Sequence, residues 1–273
     1  MTGKIPDHYS GGGNLADRIA RDLRAKGLEP AELATADFEA LDEFHFRGRA
    51  ATLELASQMR LTARSEVLDI GSGLGGVART IAQTAGCHVT GIDLTPELCA
   101  AAAEISGWLG LTEKTLFLQG DATDLPFADN SFDAVITVHA AMNIAAKDRM
   151  YAEARRVLRP GGRFAIFDIL QGEGGELIFP VPWAAEPSIS YLARPKEMET
   201  LLRAAGFKLL HSTDSTSESL RWLEQRTAGT GPSPLVPVTT RLLFGDGYTL
   251  MVQNQLRALR ERRMLTCGFL CAA

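Results

Sequence analysis

Val67-Leu68-Asp69-Ile70-Gly71-Ser72-Gly73-Leu74-Gly75-Gly76 decides the fold of this chain. An apolar run ends in a glycine-rich turn, and a helical pattern begins directly behind it over residues 76–85. Glycine in such a turn admits positive φ and lets a ligand approach the backbone without meeting a Cβ. Gly71, Gly73 and Gly76 have the spacing G-x-G-x-x-G, and Asp93 stands 20 residues beyond Gly73, where an acid can receive a ribose. By itself this stretch is compatible with an NAD(P) site.

Outward from it, short apolar runs alternate with helical patterns. Residues 66–70, 88–92, 115–118, 133–138 and 163–169 have the length and the Val, Ile and Leu content of buried strands. Residues 76–85, 96–109 and 147–158 lie between them as helices, with Pro96 in a first turn behind Thr95 as N-cap. This alternation implies a parallel sheet with right-handed crossovers. Residues 14–60 hold helical patterns and no strand signal. Beyond Ile169 a Gly- and Pro-rich stretch, 171–195, carries Phe179, Trp183 and Tyr191. A helix at 196–205, a strand at 207–212 and a helix at 218–225 follow. A loop at 227–247, a helix at 248–262 and a strand at 264–271 complete the pattern. No repeat or linker interrupts it, so residues 1–273 read as one α/β domain with helical additions.

Composition narrows the class. Of 273 residues, 45% are hydrophobic and 22% charged, which excludes wholesale disorder and allows a core that needs no disulfide or metal. The net charge of -5 argues against a nucleic-acid or anionic-membrane binder. No run approaches the roughly 18 apolar residues of a membrane span; the best, 135–146, carries His139 and Asn143. The N-terminus, with Lys4, Asp7, His8 and glycines at 11–13, lacks the apolar stretch of a signal peptide, and a cytoplasmic location is expected. Cys87, Cys99, Cys267 and Cys271 form no C-x-x-C pair, so they read as small buried hydrophobes and no metal site is expected.

Three further features bear on the cofactor. Asp69 completes a D-x-G-x-G-x-G pattern, and a carboxylate there suits a cationic amino group better than a pyrophosphate. Gly120-Asp121-Ala122 follows the third strand, and Leu125-Pro-Phe-Ala-Asp-Asn-Ser-Phe-Asp133 leads into the fourth. Leu158-Arg-Pro160-Gly161-Gly162-Arg163-Phe164 reads as a tight turn into the fifth. Across roughly residues 65–170 the chain resembles the class I S-adenosylmethionine-dependent methyltransferases. The flanks, Asp42-Glu-Phe-His45-Phe-Arg47-Gly48 through Ala56 and Phe179-Pro-Val-Pro-Trp183, are similar to small-molecule enzymes of that class, namely the sarcosine/dimethylglycine, tocopherol and ubiquinone/menaquinone methyltransferases. The Asn-Pro-Pro-Tyr and Asp-Pro-Pro-Tyr signatures of nucleic-acid relatives are absent.

The resemblance implies a Rossmann-like, seven-stranded, mostly parallel sheet with an antiparallel last strand. It also implies a helical N-terminal lid at 1–60, a cofactor-binding core at 65–170 and substrate loops with the last strands at 171–273. The implied cofactor is S-adenosyl-L-methionine, whose methyl group passes by direct displacement to a small-molecule acceptor. Gly71, Ser72 and Gly73 would supply backbone contacts to its methionine portion, and Asp69 would position the loop and the amino group. Asp93 would accept from both ribose hydroxyls, its two oxygens being acceptors only. Leu94 would pack on the adenine, Asp121 would receive the exocyclic amine and Ala122 would supply a backbone N–H. Val138 would lie below the sulfonium.

His139 stands beside that centre as a candidate base or orienting group. Phe44 and His45 are candidates for the pocket wall, and Arg47 for closing over the cofactor carboxylate. Phe179, Trp183 and Tyr191 are candidates for a pocket lid or an aromatic cage. Two rivals share parts of this pattern. A noncatalytic cofactor-binding protein carries the same motifs. An NAD(P)-dependent oxidoreductase shares the glycines, but Tyr151 is followed at the fourth position by Arg155, not by the lysine of a short-chain dehydrogenase pair.

Overall fold

The structure, a computed structural model, describes residues 14–229 and 245–273. The N-terminal stretch through Gly13 and most of the loop expected at 227–247 therefore lie outside the described residues. The strands are β1 (Glu66–Ile70), β2 (His88–Asp93), β3 (Thr115–Gln119), β4 (Phe132–Val138), β5 (Leu158–Gln171), β6 (Lys208–Asp214) and β7 (Met264–Ala272). They form one sheet in the order β3-β2-β1-β4-β5-β7-β6. The pairs from β3 through β5 are parallel, and β7 runs antiparallel to both β5 and β6. This is the mostly parallel sheet with a reversed last strand that the resemblance implies.

The helices are α1 (Leu15–Ala25), α2 (Glu39–Asp42), α3 (Gly48–Gln58), α4 (Gly76–Ala85), α5 (Pro96–Trp108), α6 (Lys147–Val157), α7 (Pro195–Ala204), α8 (Thr216–Thr227) and α9 (Tyr248–Arg260). The apolar residues of β1, Val67, Leu68 and Ile70, fall on both faces of the strand because it lies between two cores. Val67 packs with Ala78, Ile81 and Ile136 on one face, whereas Leu68 and Ile70 pack with Met150, Phe164 and Leu202 on the other. An alternating pattern would leave one of those faces polar, so helices on both sides demand a run without alternation.

Three details differ from the sequence expectations. The fifth strand starts at Leu158 instead of 163, because Phe132 pairs with Leu158 and Ala134 with Arg163. The residues expected to form a tight turn are absorbed into that shift of register. Thr95 occupies the N-cap position of α5 but caps nothing with its side chain; its hydroxyl and its N–H both serve Asp93. The four cysteines are buried and free.

The N-terminal helices are packed onto the sheet layer. Asn14 caps α1 by accepting from the N–H groups of Ala16 and Asp17. Ile19, Leu23, Phe38 and Leu41 then share a core with Leu98 and Ile105 of α5 and with Leu74 of the glycine loop. Through Leu74 this segment is tied to the site itself. Among the described residues no helix is long and apolar enough to cross a membrane.

Candidate active site

β1 and β4 are neighbours, and the chain leaves β1 towards β2 but leaves β4 towards β5. Open α/β sheets bind ligands outside the carboxyl ends of strands at such a reversal. A cavity opens there. Its walls include Gly71, Ser72 and Gly73 after β1, Asp93 and Leu94 after β2, Asp121 and Ala122 after β3, and Val138 and His139 at the end of β4. These sequence candidates are therefore brought together.

The glycine loop is bent by its own hydrogen bonds. The N–H groups of Gly71 and Ser72 both donate to the Ile92 carbonyl, at 2.8 and 3.1 Å. Gly71 has φ +77°, and a Cβ there would fall 2.3 Å from the Ala140 Cβ, so only glycine fits. Gly76 is required for a second reason: a Cβ would come within 2.4 Å of the Asp42 carbonyl oxygen. Asp93 fixes the far side of the loop. Its Oδ2 accepts from the Gly73 N–H and its Oδ1 from the Thr95 N–H, both at 2.9 Å. Each oxygen keeps acceptor capacity for a ligand. Burial raises this carboxyl, and those backbone N–H groups oppose the shift. Asp121 is held by the N–H and hydroxyl of Thr123, both at 2.8 Å from Oδ1.

Asp69 lies behind the loop and outside the cavity wall. Its carboxyl accepts from the Ala78 N–H in the first turn of α4, satisfying one of the donors a helix start leaves open. Burial first, then the charges of Asp93 and Glu43, push it up to about 8. The folded state thus holds a proton from the ordinary value near 3.8 up to about 8, while the unfolded chain releases it. Unfolding sheds that proton across the window, so stability falls as pH rises through it. Asp69→Asn, which keeps the shape and removes the charge, is expected to flatten this fall. Thermal unfolding at about pH 5, 6.5 and 8 checks it; an unchanged slope contradicts it.

Sequence reasoning missed the buried ionic core beneath the loop. Arg79 is fully buried in α4. Its guanidinium donates to Asp42 Oδ2 at 2.6 Å, to the Leu74 carbonyl at 2.6 Å and to the Ala102 carbonyl at 3.0 Å. One side chain thereby joins the N-terminal segment, the glycine loop and α5. Beside it, buried Glu43 accepts from the hydroxyls of Thr52 and Thr80, both at 2.5 Å, and faces His45 Nε2 at 3.7 Å. Burial alone would raise Glu43, but the His45 imidazole and these hydroxyls more than offset it and hold it below its ordinary range. Burial pushes Asp42 up to about 7 against the pull of Arg79.

His139 has φ +51° and donates its backbone N–H to the Phe167 carbonyl at 2.8 Å. Its ring centroid lies 5.1 Å from Phe167, 5.5 Å from Phe46 and 5.8 Å from His45. Burial, then His45, holds its pKa well below the ordinary 6.5. The imidazole is neutral across physiological pH.

Of the expected pocket residues, Phe44, His45 and Trp183 line the cavity, whereas Arg47, Phe179 and Tyr191 do not. Arg47 sits at φ +65° ahead of α3 and pairs with Glu54 instead. Phe179 packs against the core, and the Tyr191 hydroxyl donates to the Ser188 carbonyl at 2.7 Å. With only Trp183 of that aromatic trio in place, no cage forms from it. A further part of the wall comes from α8 and α9, through Trp222, Leu223, Arg226, Tyr248 and Gln255. Nothing in their helical pattern marked them.

Among the described residues, the buried side-chain polar atoms without a partner are Asp42 Oδ1, Asp69 Oδ2, Ser72 Oγ, Arg79 Nε and His139 Nε2. Asp42, Ser72 and His139 line the cavity. Native structures leave few such atoms, because each costs about 1–3 kcal/mol.

Residues 68–166 match the family described as methyltransferase domain. The chain is 34% identical over 166 residues to the sterol 24-C-methyltransferase of Gibberella zeae, a match covering 59% of this chain and 44% of that protein. It thus spans less than half the length of that relative. It is 28% identical over 239 residues to methyltransferase GfsG of Streptomyces halstedii, covering 85% of this chain and 80% of that one. In fold it is similar to phosphoethanolamine N-methyltransferase 2 of Haemonchus contortus, with a TM-score of 0.71 and 20% identity, over 96% of this chain and 60% of that one.

Proposed function

From a core whose residues 68–166 match a methyltransferase domain, we propose that this chain transfers the methyl group of S-adenosyl-L-methionine to a nucleophilic atom of a small-molecule acceptor. The observation that carries this reading is the gathering of unpartnered buried polar atoms of Asp42, Ser72 and His139 around one cavity at the sheet's switch point. A polar ligand seated there satisfies them. The cofactor, when bound, supplies a methyl group already activated on a sulfonium sulfur.

The chain's residues then bind, orient and exclude water. Asp93 accepts from both ribose hydroxyls, Leu94 packs on the adenine, Asp121 accepts from the exocyclic amine and Ala122 offers a backbone N–H. Gly71, Ser72 and Gly73 enclose the methionine portion. Val138 closes the floor beneath the reacting centre. Asp69 acts from behind, by holding the start of α4 against the loop. Titration with S-adenosylhomocysteine and with NADH separates this reading from a nicotinamide enzyme: the first binds at one site and the second does not. NADH binding without S-adenosylhomocysteine binding contradicts the reading.

The segment from α1 through α3 serves as the lid, since Leu41, Asp42 and Arg79 tie it to the glycine loop. Closure over the reactants keeps water from the transfer. S-adenosylhomocysteine is expected to slow amide exchange over residues 14–50. Equal exchange in free and bound protein contradicts the lid.

His139 orients the acceptor. It is neutral, and among the described residues its Nε2 has no carboxylate or other partner to strengthen it as a base. Alignment of nucleophile, carbon and sulfur is sufficient for a strong electrophile. His139→Asn is therefore expected to keep kcat within about tenfold, against the roughly hundredfold or greater loss of a missing general base. Because its pKa is well below 6.5, no acidic limb near that value should vanish in the variant. A large fall in kcat together with loss of the acidic limb, with cofactor binding intact, contradicts the orienting role.

A further inference from the structure

The charged groups on the cavity wall are unevenly divided. Its carboxylates, Asp42, Asp93 and Asp121, stand by the glycine loop and the ends of β2 and β3. Among the described lining residues Arg226 is the only Lys or Arg, and it comes from the last turn of α8. Trp222 lies one helical turn earlier on the same face. The Arg226 Cζ sits 5.3 Å from the Trp222 ring centroid, and one guanidinium N–H reaches the Ala40 carbonyl at 3.5 Å. Among the described residues no carboxylate is within ion-pair distance of Arg226. The carboxylates of its own helix serve other arginines: Glu218 pairs with Arg221, and Glu224 with Arg260.

From Arg226 an aromatic track leads inwards. Trp222 stands edge-on to Phe46 at 6.2 Å, and Phe46 stands edge-on to His139 at 5.5 Å. Each of these side chains lines the same cavity. The wall therefore offers, in sequence, a neutral imidazole beside the reacting centre, an apolar ring surface, and a stacked guanidinium that has no counter-ion among the described residues.

We propose that the methyl acceptor carries an acidic group, a carboxylate, sulfate or phosphate, which Arg226 holds at the far end of an apolar body lying along Phe46 and Trp222, with the nucleophile beside His139. This rests on the methyl-transfer reading of the cavity and adds the chemical class of the acceptor. Arginine suits the role because its planar fork meets such oxyanions with two parallel hydrogen bonds, and stacking on Trp222 orients it before the acceptor arrives.

Two aromatic dyes of similar shape test it without knowledge of the acceptor: 8-anilinonaphthalene-1-sulfonate, which is acidic, and N-phenyl-1-naphthylamine, which is neutral. Each is titrated by fluorescence against the full chain and its Arg226→Gln variant, with and without S-adenosylhomocysteine. The substitution is expected to weaken the sulfonate about tenfold, the effect of one charge-assisted contact, and to leave the neutral dye and S-adenosylhomocysteine unchanged. Equal effects on both dyes, or none, overturn the proposal. A loss of S-adenosylhomocysteine affinity in the variant also overturns it, by assigning Arg226 to the cofactor's carboxylate. A wild-type chain that binds no S-adenosylhomocysteine contradicts the methyl-transfer reading instead, while the dyes alone still decide whether Arg226 recognises an acid.

Discussion

Asp93→Ala is expected to weaken S-adenosylhomocysteine binding by more than about tenfold, because charge-assisted hydrogen bonds to two ribose hydroxyls are worth on the order of 1.5–3 kcal/mol. A second loss compounds it. Asp93 also receives the Gly73 N–H, so its removal frees the glycine loop as well as the ribose site. Asp93→Asn separates the two roles. It keeps one acceptor oxygen and the side-chain shape, and should fall between the wild type and the alanine variant. Calorimetric titration of folded variants measures both. Unchanged affinity in Asp93→Ala removes this residue from the cofactor site.

Arg79→Leu is expected to cost about 3–5 kcal/mol of folding stability, the usual loss when one partner of a buried ion pair is removed and the other is left buried without its counter-ion. Asp42 is the partner left behind, with its Oδ1 already without a hydrogen bond. The Leu74 and Ala102 carbonyls lose their donor in the same step. Replacing both members, Asp42→Leu with Arg79→Leu, should recover much of the stability, since a buried pair can be exchanged for packed apolar groups at little cost. Urea unfolding of the two variants checks this. A single variant within about 1 kcal/mol of wild type contradicts the role given to Arg79 as the tie between lid, loop and α5.

Most of the sheet, and the placing of Asp93 and Asp121 on one cavity, were legible in the residues, for physical reasons. A strand covered on both faces carries apolar residues on both, which made Val67, Leu68 and Ile70 of β1 conspicuous, and Gly71 stands where no other residue fits against Ala140. Asp93 and Asp121 follow strand ends, and strand ends converge on one edge of a parallel sheet. The boundary of β5 was not legible, because the shift of register opposite Phe132 depends on pairing between strands distant in sequence.

The wall contributed by the C-terminal helices was harder to read. Arg79 and Arg226 look alike in a helical pattern, yet one is fully buried beneath the loop and the other faces the cavity. Only the packing of α4 against α5, and of α8 beside α2, separates them. Arg47 misled for a local reason. Its left-handed backbone turns the side chain towards Glu54, away from the cavity its sequence neighbours Phe44, His45 and Phe46 enter. Phe179 and Tyr191 stand in a loop whose aromatic content gave no clue to which ring points inwards, and only Trp183 does.

The central claim, methyl transfer from this cavity to a small molecule, is tested most directly by incubating the chain with methyl-labelled S-adenosylmethionine and a small-molecule extract, then locating the label. The account predicts label in a low-molecular-weight product, formed by the wild type and strongly reduced in Asp93→Ala. Binding of the labelled cofactor with no transfer to any fraction would contradict it and leave a cofactor-binding protein without turnover.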